Sequence, residues 1–352
     1  MGRKRERGYT MYRFTNDYSE ACHPRILKAI EEINTEGNFG YSTDPHCARA
    51  QQLIRSACQA PDASVHFVVG GTQVNLIAIC AFLRPHQAVI ATELGHPCGH
   101  ETGAVEGTGH KVITVPCEKD AKLHPQEIEV CCAKHDSEHN VQPKLVYISS
   151  TTEMGALYTY EELKAISEVC RKHHLYLFLD GARLASALAA GGASLPQLAQ
   201  LCDAFTIGGT KNGALFGEAL VICNPALSED FRYILKNRGG MLAKGFLLGI
   251  QFETFFEDGL YEQLGRYSTS LAIKLRDGME TLGVRFLSPS PSNQQFPILP
   301  DKVLQKLSGD FHWEVTEKVD AENTCIRLVT SWATREEAVD AWLKALQEAL
   351  ER

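Results

Sequence analysis

The sequence has no uninterrupted apolar run long enough to cross a lipid bilayer, so we expect no membrane partner. It is also short of cations, because 35 lysines and arginines face 43 aspartates and glutamates, for a formal net charge of -8. Nucleic-acid binding normally needs a clustered cationic excess, and we expect no such partner. One basic cluster, Arg3, Lys4, Arg5 and Arg7, lacks the apolar segment of a signal peptide and is interpreted as a solvated tail.

Cysteine is plentiful, but no two cysteines are spaced as a CxxC pair. Apart from the adjacent Cys131 and Cys132, the twelve cysteines are scattered singly, which favours free thiols in a reducing compartment and predicts a cytoplasmic protein. His96, Cys98 and His100 are residue types that bind metals. Prolines and glycines separate them and no second cluster matches them, so we expect a loop with incidental ligand-type residues and no metal.

Short runs rich in Val, Ile, Leu, Phe and Tyr recur along the first 250 residues and predict buried strands. These runs are Ser64–Val69, Ala88–Ala91, Lys111–Val115, Lys144–Ser149, Leu175–Asp180, Ala204–Gly208 and Ala219–Cys223. The segments between them have room for helices, notably Val74–Phe82 and Tyr160–His173. Near-continuous apolar strands separated by helices predict an α/β domain with a mostly parallel, seven-stranded sheet.

The pattern changes after about residue 250 and predicts a smaller α+β domain. We expect an N-terminal arm over 1–15, a large domain over 16–250 and a small domain over 251–352. In the small domain the predictions are a helix over Tyr261–Leu282, strands at Val284–Leu287, His312–Val319 and Thr324–Val329, a surface loop at Leu287–Ser292, and a last helix capped by Thr334.

Three segments carry residues suited to chemistry. The Gly70, Gly71 and Thr72 turn joins a strand to a helix, where bare N–H groups and a hydroxyl suit a phosphate. The alternative is that the two glycines are there for steric reasons only. Asp180 ends a strand at the edge where α/β sheets bind ligands, although an aspartate there can simply cap a helix. Lys211 follows the next strand between glycines, an unusual place for a stabilising lysine and a suitable one for an amine that must reach a carbonyl.

In these segments the sequence resembles the pyridoxal phosphate (PLP)-dependent threonine aldolase and β-eliminating lyase family, which has the aspartate aminotransferase-like fold (fold type I). The resemblance covers the chain from Phe14 onward. It rests on four motifs in a fixed order: GGTQVNL from Gly70, FLDGARL from Phe178, the lysine segment from Phe205, and RLVTSW from Arg327. The ordered combination is more specific than any one motif.

The resemblance implies how the chain would hold pyridoxal 5'-phosphate. The Gly70–Thr72 turn would hold the phosphate, Asp180 would pair with the pyridinium nitrogen, and Lys211 would form the Schiff base. His96 falls where the family stacks a histidine on the pyridine ring, with a polar loop histidine as the alternative. Arg238, which precedes two glycines, is a further candidate for the cofactor phosphate.

The resemblance also implies substrate-binding residues. Arg183 and Arg327 match arginines near the substrate carboxylate, and each has a structural ion pair as its alternative role. Arg183 is also expected to contact the cofactor. Asn16 is assigned a hydrogen bond on the carboxylate side. Glu153 stands where many threonine aldolases have a histidine near the β-hydroxyl, so Glu153, His96 or a held water is expected to be the base.

The resemblance implies an aldolase that cleaves a β-hydroxy-α-amino acid, such as threonine or allo-threonine, to glycine and an aldehyde. The alternatives are a PLP-dependent β-eliminating lyase or racemase, and a PLP-fold protein that binds without turnover. The resemblance implies a homodimer or homotetramer with active sites at the subunit interface. The segment Asn38–Tyr41 is either part of that interface or an ordinary loop.

Overall fold

The structure of the chain is a computed structural model that describes residues 11–351, so the basic cluster of the N-terminal arm lies outside the described residues. The strands are β1 Tyr12–Arg13, β2 Ser64–Val68, β3 Gln87–Thr92, β4 Val112–Val115, β5 Gln142–Ser149, β6 Tyr176–Asp180, β7 Ala204–Gly208, β8 Glu218–Ile222, β9 Arg285–Phe286, β10 Gln294–Gln295, β11 Pro297–Pro300, β12 Phe311–His312, β13 Glu314–Lys318 and β14 Asn323–Val329. The helices are α1 Pro24–Glu32, α2 Pro45–Ala57, α3 Gly71–Phe82, α4 His96–Gly99, α5 Pro125–Lys134, α6 Tyr160–Lys172, α7 Leu184–Ala189, α8 Leu195–Leu201, α9 Phe231–Asn237, α10 Phe246–Glu257, α11 Leu260–Thr281, α12 Asp301–Leu307 and α13 Glu336–Leu350.

A seven-stranded sheet forms the centre of the molecule, in the order β2-β8-β7-β6-β5-β3-β4. Strands β3 to β7 pair in parallel, whereas β8 pairs antiparallel with both β2 and β7. The predicted α/β domain with a mostly parallel sheet is therefore confirmed.

Burial explains why these strands appear in the sequence as apolar runs. Every residue of β3 and of β8 is buried. Two hydrophobic clusters cover the two faces of the sheet, one containing Leu163 and Phe252 and the other Val74 and Ile77. A strand that is covered on both faces gains from apolar side chains at every position, because each removes surface from water.

The C-terminal part of the chain forms a second, antiparallel sheet around β14, which pairs with β10, β11 and β13. Strand β1 pairs in parallel with β12, and the backbone N–H of Val329 donates to the carbonyl of Phe14 at 2.8 Å. The N-terminal segment therefore packs with the C-terminal part. The boundary expected at residue 250 falls inside α10, and the division into domains stays a prediction.

Two local predictions are wrong. The Leu287–Ser292 segment is not a surface loop, because Ser290 and Ser292 are 1% and 0% exposed and hydrogen-bond each other at 2.9 Å. Their hydroxyls find partners inside the protein, so burial carries little cost. Thr334 does not cap the last helix: α13 begins at Glu336, and the Thr334 hydroxyl accepts from the N–H of Ser331 at 2.8 Å.

Among residues 11–351, no helix combines the length and apolar character that crossing a membrane would require.

Candidate active site

Two adjoining cavities of about 440 and 740 Å³ open at the edge of the sheet where the parallel strands end. The side chains that line both are Tyr18, His96, His100, Glu153, Arg183 and Lys211. The cavity that also reaches Asp180 is called the inner cavity, and the one that also reaches Arg327 the outer cavity.

The sheet topology explains why these residues meet. Asp180 is the last residue of β6, and Lys211 and Glu153 follow the ends of the parallel strands β7 and β5. Glu218 begins β8, which runs in the opposite direction, so its side chain lies at the same edge. Carboxyl ends of parallel strands are where open α/β sheets bind ligands.

Glycines let β6 and β7 approach each other at this edge. A Cβ atom on Gly181 would lie 2.0 Å from the carbonyl oxygen of Thr206, and one on Gly208 would lie 2.3 Å from that of Ala182. Both contacts are too close for a side chain. The glycines of the two motifs are therefore required by packing, and they bring the aspartate and lysine segments together.

Lys211 is held in a form suited to act as an amine. Burial lowers its pKa, as does the nearby charge of Arg183, while Asp17, Asp180 and Glu218 act in the opposite direction. A lysine with a lowered pKa is more often neutral, which is the nucleophilic form.

Glu218 adjoins Lys211 in the inner cavity, and sequence reasoning missed it. Burial raises the pKa of Glu218 to about 8, and its Oε2 accepts from the N–H of Gly209 at 3.0 Å. Glu218 and Lys211 are thus both biased toward their neutral forms. In the sequence, Glu218 differs from its neighbours only as a single carboxylate at the start of an otherwise apolar strand.

Asp180 belongs to a buried hydrogen-bond network. Its Oδ2 accepts from Asn75 Nδ2 at 2.8 Å and from the Tyr147 hydroxyl at 2.6 Å, while its Oδ1 accepts from the N–H of Ala182 at 2.9 Å. Asn75 Nδ2 also donates to Glu101 Oε1 at 2.8 Å. Asp180, Asn75, Tyr147 and Glu101 are all at most 6% exposed, so Asp180 is fixed in place.

His96 extends the network through its ring, and its backbone contacts Glu153. His96 Nδ1 lies 2.7 Å from Glu101 Oε1. Glu153 Oε1 accepts from the backbone N–H of His96 at 2.9 Å and from the Ser149 hydroxyl at 2.7 Å. Burial raises the pKa of Glu153, against the effect of the Ser149 hydrogen bond. One oxygen of this carboxyl is thereby engaged in holding the α4 backbone.

The predicted phosphate turn lies at the inner cavity. Gly70 occupies the N-cap position of α3 without a side-chain cap, and Gly70, Gly71 and Thr72 all line the cavity. A Cβ atom on Gly70 or Gly71 would meet nothing within 4 Å, so space is open in front of the helix N-terminus. Free N–H groups at a helix N-terminus bind anions.

These donors fit pyridoxal phosphate. The inner cavity combines a lysine amine, a fixed carboxylate, the Gly70–Thr72 turn and the His96 ring. A Schiff-base amine, a partner for a pyridine nitrogen and a phosphate site are the three features that such a cofactor requires.

Arg183 is anchored at the boundary between the two cavities. Its Nε and Nη2 donate to the two carboxylate oxygens of Asp17, at 2.8 and 3.2 Å. Burial alone would raise the pKa of Asp17, but the charges of Arg183 and Lys211 and a hydrogen bond from Asn293 lower it overall. Asp17 is fully buried, so Arg183 is oriented by a fixed ion pair.

Arg327 lies in the outer cavity and is held differently. It pairs with Glu314, its register partner on β13, and its Nη1 lies 3.4 Å from Gln294 Oε1. The Glu314 side chain is 55% exposed, against 20% for Arg327. An arginine in an apolar strand needs a charged partner, and Glu314 provides it.

Two candidate residues do not reach the cavities. Asn16 Oδ1 accepts from the Tyr18 N–H and the Ser19 hydroxyl, both at 3.0 Å, and so closes a local turn. Arg238 points toward the far part of α3, with its Nη2 3.2 Å from Cys80 Sγ. Within one chain, the structure brings together all the candidate residues except these two.

The segment with His96, Cys98 and His100 is a one-turn helix, α4, flanked by His100, and not an irregular loop. Both histidines face the cavities, whereas Cys98 Sγ lies 3.9 Å from Thr114 Oγ1. Across residues 11–351, no group of three or more His, Cys, Asp or Glu side chains is arranged to hold a metal ion. The spacing of four between the histidines was the sequence signal for one helical face.

The family model for β-eliminating lyases matches residues 23–351. A low-specificity L-threonine aldolase from Pseudomonas sp. is 31% identical over 330 residues, which cover 92% of this chain and 94% of that protein. A solved structure of Leishmania major threonine aldolase is 49% identical, with a TM-score of 0.94 over 96% of this chain and 99% of that one.

An aspartate aminotransferase from Thermus thermophilus matches with a TM-score of 0.69 at 16% identity, over 97% of this chain and 92% of that one. At that identity the match concerns the fold, and it agrees with the aspartate aminotransferase-like fold expected from the motifs.

Proposed function

The chain belongs to the β-eliminating lyase family, and from that premise we propose that it is a PLP-dependent aldolase. Its substrate would be a β-hydroxy-α-amino acid such as threonine or allo-threonine, and its products glycine and an aldehyde. The observation that carries the proposal is one continuous site. Lys211 lines both cavities, the fixed carboxylate of Asp180 lines the inner one, and Arg327, whose guanidinium can bind a carboxylate, lines the outer one. The similarity to the Leishmania major threonine aldolase supports the choice of substrate class.

The inner cavity would hold the cofactor. Lys211 would carry it, Asp180 would hold a proton at the pyridine nitrogen, and the Gly70–Thr72 turn would bind the phosphate. The His96 ring, oriented by Glu101, would lie against the pyridine ring. When bound, PLP supplies an electron sink conjugated to the substrate nitrogen.

The two arginines would orient the substrate. Arg183 lines both cavities and Arg327 lines the outer one, and a guanidinium binds a carboxylate with two parallel hydrogen bonds. Fixing the carboxylate restricts rotation about the bond from nitrogen to Cα, so the Cα–Cβ bond can be held in the orientation that favours cleavage. A proton must then leave the β-hydroxyl.

Product analysis tests the proposed function. The full-length protein loaded with PLP is incubated with threonine and with allo-threonine, and the products are identified by NMR. We expect glycine and acetaldehyde in equal amounts. 2-Oxobutanoate and ammonia would instead identify a β-eliminating lyase, inverted substrate a racemase, and a bound cofactor without any product a binding protein.

We also propose that the chain assembles as a homodimer or homotetramer. Support comes from the Asn38–Tyr41 segment, where Phe39 is 75% exposed and Tyr41 44% exposed. Tyr41 and Ser42 both have φ of 60°, an unusual backbone for such residues, so the segment is held in a defined shape. Sedimentation of wild type and Phe39→Asp would test this, with a smaller particle expected for the variant.

A cytoplasmic location is proposed on a separate ground. All twelve cysteines are free thiols in the structure, as expected in a reducing compartment.

A further inference from the structure

His100 is an exposed residue that contributes to the candidate site. It stands one turn after His96, and its N–H donates to the His96 carbonyl at 2.9 Å. The two ring centroids are 5.5 Å apart, with 38° between the ring planes. His100 lines the inner and the outer cavity, as Lys211 does. Its ring therefore faces the region between the cofactor amine and the substrate-orienting arginines.

The other candidate bases are engaged in holding the structure. One oxygen of Glu153 accepts from the His96 backbone and from Ser149, and burial raises the pKa of Glu153. His96 is tied to the buried Glu101 through Nδ1. The His100 ring makes no hydrogen bond to any of the described residues, so both of its nitrogens remain available to a substrate.

We propose that His100 is the catalytic base that takes the β-hydroxyl proton during Cα–Cβ cleavage. The assignment rests on the proposed aldolase function. An unprotonated ring nitrogen of His100 accepts the proton, and the electron pair of the O–H bond forms the carbonyl of the aldehyde. The Cα–Cβ bond breaks, and its electron pair stays with the Cα fragment. One proton then adds at Cα to give glycine, so the reaction needs no oxidant or reductant.

The charges around His100 suit this role. Partial burial lowers its pKa, and the charges of His96, Arg327 and Lys211 lower it further, while Glu314 acts in the opposite direction. These groups face His100 from α4, from β14, from the turn after β7 and from β13. The ring is therefore unprotonated at neutral pH, as a proton acceptor must be.

The test separates chemistry at the β-oxygen from chemistry at Cα. Holoenzyme of wild type, His100→Gln and the surface control His139→Gln is assayed for threonine cleavage between pH 5 and 9. The same preparations are assayed by NMR for exchange of the glycine α-hydrogen with deuterium, which needs no base at a β-oxygen. Visible absorbance reports cofactor binding in each preparation.

We expect His100→Gln to lose about 10²- to 10⁴-fold in kcat for cleavage. Its cofactor absorbance and glycine exchange should stay near wild type, and the acidic limb of the pH profile should disappear. His139→Gln should match wild type throughout.

Undiminished cleavage by His100→Gln, with the wild-type pH profile, would overturn the assignment alone. So would an equal loss of cleavage and glycine exchange, because that result indicates a structural role. Wild-type holoenzyme that exchanges glycine but cleaves no β-hydroxy amino acid would overturn the proposed function, and the base assignment with it.

Discussion

The two ends of the site are built differently. At the cofactor end, Asp180, Asn75, Glu101 and Tyr147 are buried and joined by hydrogen bonds of 2.6 to 2.8 Å. At the substrate end, the Arg327 side chain pairs with Glu314, which is more than half exposed on β13. The cofactor end is thus arranged before any ligand arrives, whereas the substrate end holds an ion pair that a substrate carboxylate can replace.

The difference has a physical rationale. Positions that must act on every turnover benefit from a fixed, water-poor environment, because fixed dipoles need no reorganisation during the reaction. A substrate must enter and leave, so its binding groups benefit from contacts that break at low cost. Exposed ion pairs contribute only about 0 to 1 kcal/mol, which makes the Glu314 contact easy to exchange.

The largest expected effect is at the cofactor end. Lys211→Ala should lower turnover by roughly 10⁴-fold or more, because it removes the amine proposed to carry the cofactor. Absorbance spectra measure the loss of the bond between the lysine and the cofactor, and product assays measure the loss of turnover. Lys164→Ala, an exposed lysine of α6, is the matched control and should behave as wild type. Normal turnover by Lys211→Ala would contradict the assignment.

Asp17 tests, through stability, the buried ion pair that fixes Arg183. Asp17→Asn should lower the free energy of unfolding by about 3 to 5 kcal/mol near neutral pH, because it leaves Arg183 without its buried partner. Denaturant unfolding measures the loss, with the exposed Asp62→Asn as control.

The pH dependence of that loss has a defined sign. The folded-state pKa of Asp17 is lowered, so its contribution to stability is fully present above the unfolded-state pKa of about 3.9. The contribution disappears as the pH falls through the folded-state pKa, and the two proteins should converge in stability in acid. A difference that grows in acid would contradict this account.

Arg327 tests the substrate end directly. Arg327→Lys keeps the charge but loses the two-pronged geometry, so we expect KM for threonine to rise by about 10- to 100-fold. Cofactor absorbance should not change, because Arg327 lies in the outer cavity. Steady-state kinetics measure KM, and a weakened cofactor affinity without a change in KM would count against the placement.

Glu314 should give the smallest effect, in the opposite direction. Glu314→Gln removes the carboxylate that competes with the substrate for Arg327, and KM should fall by up to about fivefold. The exposed Glu322→Gln is the control. A KM that rises in Glu314→Gln would mean that the ion pair prepares Arg327 for the substrate.

The buried strands of the central sheet could be predicted from the sequence, whereas two segments of the C-terminal part could not. All seven strands of the central sheet were predicted with ends within two residues, because burial on both faces leaves an unbroken apolar signal. Ser290 and Thr334 were misread, since their hydroxyls are satisfied by tertiary or turn contacts that the local sequence does not reveal.

The site residues also divide into those that the sequence predicts and those that only the structure reveals. Lys211 and Asp180 stand at strand ends inside recognisable motifs. Asn75, Glu101 and His100 are single polar residues on helices or at their ends, and only the folded arrangement gives them partners. The cofactor was therefore easier to predict than the base.

The central claim is that Lys211 carries the cofactor, and one measurement tests it most directly. The holoenzyme is treated with borohydride, which fixes pyridoxal to its lysine, and is then digested with trypsin for mass spectrometry. A modified Lys211 resists cleavage, so the account predicts the cofactor mass on a single peptide spanning residues 184–232. Separate, unmodified peptides 184–211 and 212–232, with the cofactor on another lysine or on none, would contradict it.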